Sequence, residues 1–146
     1  MDDNKKKIAF IINPISGTQG KEHILKWLDE KLDKNRYMPE VIYTEWAGHA
    51  VEIAARKAKE EVFAVVAIGG DGTINEIARS LVHTKTALGI IPCGSGNGLA
   101  RHLQIPMEAK KAIDIINEGL IDIIDYGKIN DVPFFCTCGV GFDAFV

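Results

Sequence analysis

No stretch of this sequence stays apolar for the ~18 residues that a membrane-crossing helix needs, so no span is expected. Cysteine is scarce. Cys93, Cys136 and Cys138 make an odd count of 3 without metal-ligand spacing. That argues against a disulfide framework and for reduced thiols in a cytoplasmic protein. Cys136-x-Cys138 alternates along a strand and reads as core. His23, His49, His83 and His102 are scattered, and no pair has zinc-site spacing. Positive charge is not in excess either. The 17 Lys and Arg against 20 Asp and Glu give a net charge of -3, and no long basic stripe argues for nucleic acid. Lys5-Lys6-Lys7 is short enough to be a solvated terminus. Met1-Asp2-Asp3-Asn4 is acidic and polar, unlike a signal peptide. Repeats and low-complexity linkers are missing too. What remains is 146 residues, 47% hydrophobic and 25% charged, which suits one globular domain with a sizeable core.

The chain is organised around Ile68-Gly69-Gly70-Asp71-Gly72-Thr73-Ile74-Asn75-Glu76. The apolar run Val62 to Ala67 before it reads as a strand buried on both faces. After it, Ile74, Ile77, Ala78, Leu81 and Val82 mark one face of a helix. A glycine-rich turn between strand and helix lets backbone approach a ligand, and the helix start offers free N–H groups to a phosphate. A plainer reading stands beside this one. Thr73 and Glu76 have capping-box spacing and can simply start the helix.

Two more loops have the same setting. Strand-like Ile8 to Ile12 precedes Asn13-Pro14-Ile15-Ser16-Gly17-Thr18-Gln19-Gly20-Lys21, and a helix face of Ile24, Trp27, Leu28 and Leu32 follows to about Lys34. This is not a Walker A loop, which needs four residues between its first glycine and Gly-Lys. A turn over Asn35 to Pro39 leads to a second strand, Glu40 to Thr44, with Thr44 at its end. Val51, Ala54, Ala55 and Ala58 then give the inner face of a second helix. The strand Ala87 to Ile91 runs into the third loop, Pro92-Cys93-Gly94-Ser95-Gly96-Asn97-Gly98. Its glycine spacing is not the dinucleotide fingerprint. A short helix through Leu99, Ala100 and Leu103 and a longer one through Ala109, Ala112, Ile113 and Ile116 follow. Four strand–helix units imply an open, mostly parallel α/β sheet with helices on both faces. All three loops would then gather at the carboxyl ends of the strands, where such sheets bind ligands. From Ile121 the rhythm changes. Runs at 121–129 and 132–140, separated by Asn130-Asp131, predict an antiparallel hairpin.

Together the loops resemble the diacylglycerol kinase catalytic family of bacterial lipid kinases, which includes sphingosine kinases. The matching residues are Asn13-Pro14-x-Ser16-Gly17, Thr44, Gly69-Gly70-Asp71-Gly72-Thr73-x-Asn75-Glu76, Pro92-x-Gly94-Ser95-x-Asn97 and Gly139-x-Gly141-Phe142-Asp143-Ala144. The Gly-Gly-Asp-Gly element alone is shared with NAD kinases and phosphofructokinases. The resemblance implies a Rossmann-like N-terminal domain of that kind over residues 1–120. Residues 121–146 would be a hairpin that begins a β-rich second domain. It also implies transfer of the γ-phosphate of ATP, with Mg2+, to a lipid hydroxyl. Asn13, Pro14, Ser16, Gly17, Thr44, Gly69, Gly70, Gly72, Thr73, Asn75, Glu76, Gly94, Ser95 and Asn97 fall on ATP-contacting positions. Asp71 would serve as a magnesium ligand or as the base toward the attacking hydroxyl, and Asp143 would lie on the acceptor side. The third loop carries Ser95 and Asn97-Gly98 where the family usually has Thr and Asn-Asp. Family members run to roughly twice this length, so residues 1–146 alone are expected to be inactive or nearly so.

The implied partners are ATP, a lipid substrate and a membrane surface touched peripherally, with a homodimer left open and no nucleic acid. The implied location is cytoplasmic, extending to the inner membrane surface. Rival readings are a kinase of a soluble acceptor such as NAD and a non-catalytic ATP-binding regulatory module. A Rossmann oxidoreductase ranks last, since its fingerprint is missing.

Overall fold

The computed structural model describes residues 5–14, 21–81, 84–92 and 109–118, together with four short strands beyond residue 120. Strand β1 (Lys6–Ile12), helix α1 (Lys21–Lys31), β2 (Tyr37–Tyr43), α2 (His49–Lys59), β3 (Ala64–Gly69), α3 (Asp71–Ser80) and β4 (Ala87–Pro92) alternate along the chain. Helix α4 (Ala109–Glu118) and strands β5 (Ile121–Ile123), β6 (Lys128–Ile129), β7 (Val132–Pro133) and β8 (Cys138–Val140) follow. The main sheet has the order β2-β1-β3-β4-β8-β5. Its β2-β1-β3-β4 part is parallel throughout, as the strand–helix alternation predicts. The chain crosses from β1 to β2 on one side and then to β3 on the other, so the order in which strands are added reverses between β1 and β3.

Alternation along each strand builds two apolar layers. Ile8, Phe10 and Ile12 join Ala64, Val66 and Ile68 under α1 and α4, where Ile24, Leu28, Ile113 and Ile116 are buried. Ala9 and Ile11 join Val65, Ala67, Leu88 and Ile90 under α2 and α3, against Ile53, Ala54, Ile74 and Ile77. A strand covered on both faces must be apolar at every position, and Ile8 to Ile12 are all at most 1% exposed. Helices on both faces of the sheet are therefore as the sequence predicts.

Helix α2 departs from expectation. It buries Ala50, Ile53, Ala54 and Lys57, while Val51 is 40% exposed. The buried lysine explains the shifted face. The Lys57 ammonium lies 2.7 Å from Glu40 Oε1 and 3.3 Å from Glu60 Oε1, so its charge is paired where it leaves water. The hydrogen bond to Glu40 raises its pKa above the ordinary 10.5, against the opposing effect of burial. Strand β2 also starts earlier than the predicted Glu40, because Tyr37 is buried at 1% exposure and anchors it. Pro39 is tolerated inside that strand. Lys6 N–H donates to Arg36 O and Thr44 N–H to Ile12 O, so even-numbered residues face β1. Pro39, lacking an N–H, falls on the outer edge, where it blunts pairing with another strand.

The end of α2 is a Schellman turn. Glu61 N–H donates to Ala58 O at 3.0 Å and Val62 N–H to Lys57 O at 3.3 Å. The turn requires a left-handed residue, and Glu61 supplies it at φ 59°. Glycine adopts that conformation without the Cβ clash, whose cost is roughly 1–2 kcal/mol. Glu61→Gly is therefore expected to stabilise the protein by about 1 kcal/mol. A chemical denaturation midpoint that stays or falls would show that the turn is not strained.

A polar clasp joins α1 to α4. Asn117 accepts the Asp33 N–H at 2.8 Å and donates to Lys31 O at 2.8 Å. It thereby satisfies a carbonyl that the end of α1 would leave open. Beyond α4, β5 pairs antiparallel with β8, and β6 with β7. Both pairs keep one register, the one that a two-residue connection between Ile129 and Val132 gives. β8 also lies parallel to β4, at Leu88 opposite Gly139, so this segment extends the main sheet.

Candidate functional site

A cavity of about 250 Å³ opens at the carboxyl ends of β1, β2 and β3. Asn13 follows β1, Thr44 follows β2, and Gly70, Gly72, Thr73 and Glu76 follow β3; all of them line it. It sits at the β1/β3 reversal, the crevice where doubly wound sheets bind ligands. Trp46, Ala47, Gly48 and Ala50 complete the wall. Thr44 and Thr73 are buried, at 7% and 6% exposure.

The floor is the start of α3. Its N-cap is Gly70, no side chain caps it, and the first intrahelical bond runs from Ile74 N–H to Gly70 O at 3.0 Å. Thr73 is thus inside the first turn, and the capping-box reading of Thr73 and Glu76 does not hold. The N–H groups of Asp71, Gly72 and Thr73 precede that first bond and point out of the helix at its positive end. A Cβ built on Gly72 would meet nothing within 4 Å. Backbone is therefore laid bare to the cavity there. A Cβ on Gly69 would come within 3.3 Å of Thr73 Cβ, so β3 and α3 meet closely and a side chain there would press Thr73 aside by a few tenths of an ångström.

Uncapped amides, two hydroxyls and an exposed glycine backbone suit the oxygens of a phosphate group. Among the described residues no cluster of three or more His, Cys, Asp or Glu forms a metal cage. A magnesium ion there would rest on one or two carboxylates and on the phosphates it bridges, as that ion commonly does. Glu76 lines the cavity, and Asp71 opens α3.

A broader hollow of about 720 Å³ lies at the far ends of α2 and α3, beside Arg56, Lys59, Glu61 and Lys85. It faces helix carboxyl ends, whose dipoles oppose an anion, and its cations complement those ends. The smaller cavity is therefore the better candidate.

Of the residues singled out from sequence, Asn13, Thr44, Gly70, Gly72, Thr73 and Glu76 meet at this cavity. Pro14, Gly69 and Asn75 are adjacent in sequence but do not line it. Ser16, Gly17, Gly94, Ser95, Asn97 and Asp143 lie outside the described residues, as does the side chain of Asp71. Trp46 escaped sequence reading. Its signal was the short link from Thr44 to α2, which must pass the same rim.

Fold and cavity together define a doubly wound α/β domain with a candidate ligand site at the sheet's switch point. The model of the diacylglycerol kinase catalytic domain matches residues 7–129. The chain belongs to that family. It is 35% identical over 132 residues to a diacylglycerol kinase of Staphylococcus saprophyticus, covering 89% of this chain and 43% of the relative. It is 36% identical over 140 residues to a diacylglycerol kinase of Bacillus subtilis, covering 93% and 46%. The chain thus spans less than half the length of these relatives. A crystal structure of a diacylglycerol kinase from Bacillus anthracis superposes with a TM-score of 0.67 at 24% identity, over 80% of this chain and 40% of that one. Another solved chain from that bacterium gives 0.76 at 25% identity, over 89% and 45%. No helix among the described residues is long and apolar enough to cross a membrane.

Proposed function

We propose that this chain is the nucleotide-binding part of an ATP-dependent lipid kinase, which transfers the γ-phosphate of ATP to a lipid hydroxyl. The observation that carries the reading is the meeting of Asn13, Thr44, Gly70, Gly72, Thr73 and Glu76 around one cavity at the switch point. In this reading the amides of Asp71, Gly72 and Thr73 receive phosphate oxygens, and the hydroxyls of Thr44 and Thr73 orient them. Magnesium, held by Asp71 with Glu76 nearby, would neutralise phosphate charge, which is most of what phosphoryl transfer asks of a protein. The acceptor's oxygen bonds to the γ-phosphorus as the bond to the β-phosphate oxygen breaks. ADP leaves, and the acceptor's proton passes to a carboxylate. Asp71 is proposed for that base as an alternative to its metal role.

The loop residues Ser16, Gly17, Gly94, Ser95 and Asn97 are proposed to complete the ATP site, and Asp143 to serve the acceptor side. Residues 121–146 are proposed to begin a β-rich domain, and residues 1–146 alone to have little or no transferase activity. The proposed setting is cytoplasmic, at a membrane surface touched peripherally.

The test uses Gly72. Gly72→Val adds a branched side chain at a lining position where an added Cβ meets nothing within 4 Å, so the protein is expected to stay folded. Affinity for MgATP by calorimetry is expected to fall at least about 10-fold, the equivalent of 1.4 kcal/mol. Gly72→Ala is expected to be the more stable variant, by about 0.4–1 kcal/mol, since a Gly to Ala change removes freedom from the unfolded chain. Unchanged MgATP affinity in a folded Gly72→Val protein would place the nucleotide elsewhere.

A further inference from the structure

Two chemically different elements line the cavity, the amide-bearing start of α3 and the aromatic residue Trp46. At about 250 Å³ the cavity is smaller than the roughly 300–1,000 Å³ of sites that enclose a drug-sized ligand. The described lining thus encloses room for only part of a nucleotide.

Trp46 is built into the rim with unusual care for an exposed side chain. Its ring stacks on His49, with centroids 3.7 Å apart and planes 15° from parallel. His49 is itself held. Its Nδ1 accepts the Glu45 backbone N–H at 2.9 Å, and its backbone N–H donates to Trp46 O at 3.1 Å. The indole Nε1–H donates to Glu52 Oε2 at 3.3 Å. Gly48, at φ 87°, gives the left-handed turn that folds the link back onto α2. One face and the N–H edge of the indole are thus occupied. Yet Trp46 is 53% exposed, so its other face is open. A rigid aromatic surface with one open face, beside a phosphate-type floor, fits a ligand that is planar and aromatic at one end and anionic at the other.

We propose that the open face of Trp46 is the seat of the nucleobase, and that His49 and Glu52 hold the indole ready for it. This rests on the nucleotide reading above and adds the residue that distinguishes a nucleotide from a bare polyphosphate. Base stacking on an aromatic side chain is sequence-tolerant, because every base has a π face. The site is therefore expected to discriminate weakly among purine nucleotides and strongly against ligands without a ring.

The chain has 2 tryptophans, so Trp27→Phe leaves Trp46 as the sole indole reporter. In that background, magnesium with ATP and magnesium with inorganic triphosphate are titrated by fluorescence and by calorimetry. ATP is expected to quench Trp46 emission saturably, at the Kd found by calorimetry. Triphosphate is expected to compete with ATP without quenching. Trp46→Ala should weaken ATP by about 5- to 100-fold, as loss of one base stack does, and leave triphosphate affinity within about 2-fold. Trp46→Phe should restore most of the ATP affinity. If ATP binds without quenching and Trp46→Ala binds it equally well, the seat of the base is elsewhere while the nucleotide reading stands. If neither ATP nor triphosphate binds, the nucleotide reading fails and this inference with it.

Discussion

Asp71→Asn is expected to lower γ-phosphate transfer by about 10²- to 10⁴-fold while leaving the unfolding temperature within a few degrees, the range a lost acid–base group typically spans. The substitution keeps size and removes charge. Asp71 opens α3 directly after Gly70, at the end of the helix that floors the cavity. Either role proposed for it needs the negative charge. The kinetics separate the roles. Loss of a metal ligand would weaken MgATP binding along with turnover. Loss of a base would lower kcat at nearly unchanged MgATP affinity. A folded Asp71→Asn protein with more than half of the original activity would contradict both.

Phe10→Ala carries the largest expected cost in stability. Phe10 lies mid-strand in β1, which is flanked by β2 and β3, and is 0% exposed. It packs in the layer of Ile24, Leu28 and Leu32. It also borders a hollow of about 280 Å³ between α1 and β2, so truncation enlarges a gap that α1 cannot readily close. Phe to Ala changes in cores cost about 3–5 kcal/mol. That is a large share of the roughly 5–15 kcal/mol that holds a domain folded. The denaturant midpoint should fall with little change in slope. A loss below about 1 kcal/mol would contradict the tight packing of Phe10 between β1 and α1.

The strands that were easiest to read are those buried on both faces. In β1 and β3 every position past the first turn of the pattern is apolar, because no polar side chain there could reach water. Ile74, Ile77, Ala78 and Leu81 are likewise buried as their spacing predicts. Helix α2 was misphased because Lys57 sits on its buried face. A lysine there is legible only once Glu40, distant in sequence, is known to be its partner. The start of β2 was missed because Pro39 argues for a turn unless the strand is known to be an edge. At the site, Asn13, Thr44 and the Gly70 to Glu76 loop were legible because each ends a strand. Trp46 was not, since its role depends on a stack with His49 that only the folded link creates.

The most direct test of the central claim is transfer of labelled γ-phosphate from MgATP by the full gene product. One reaction contains a bacterial lipid extract and another NAD, and each is split between organic and aqueous phases. The account predicts label in the organic phase with the lipid extract, lost in Asp71→Asn. Label confined to a new aqueous product, or none in either phase, would contradict it.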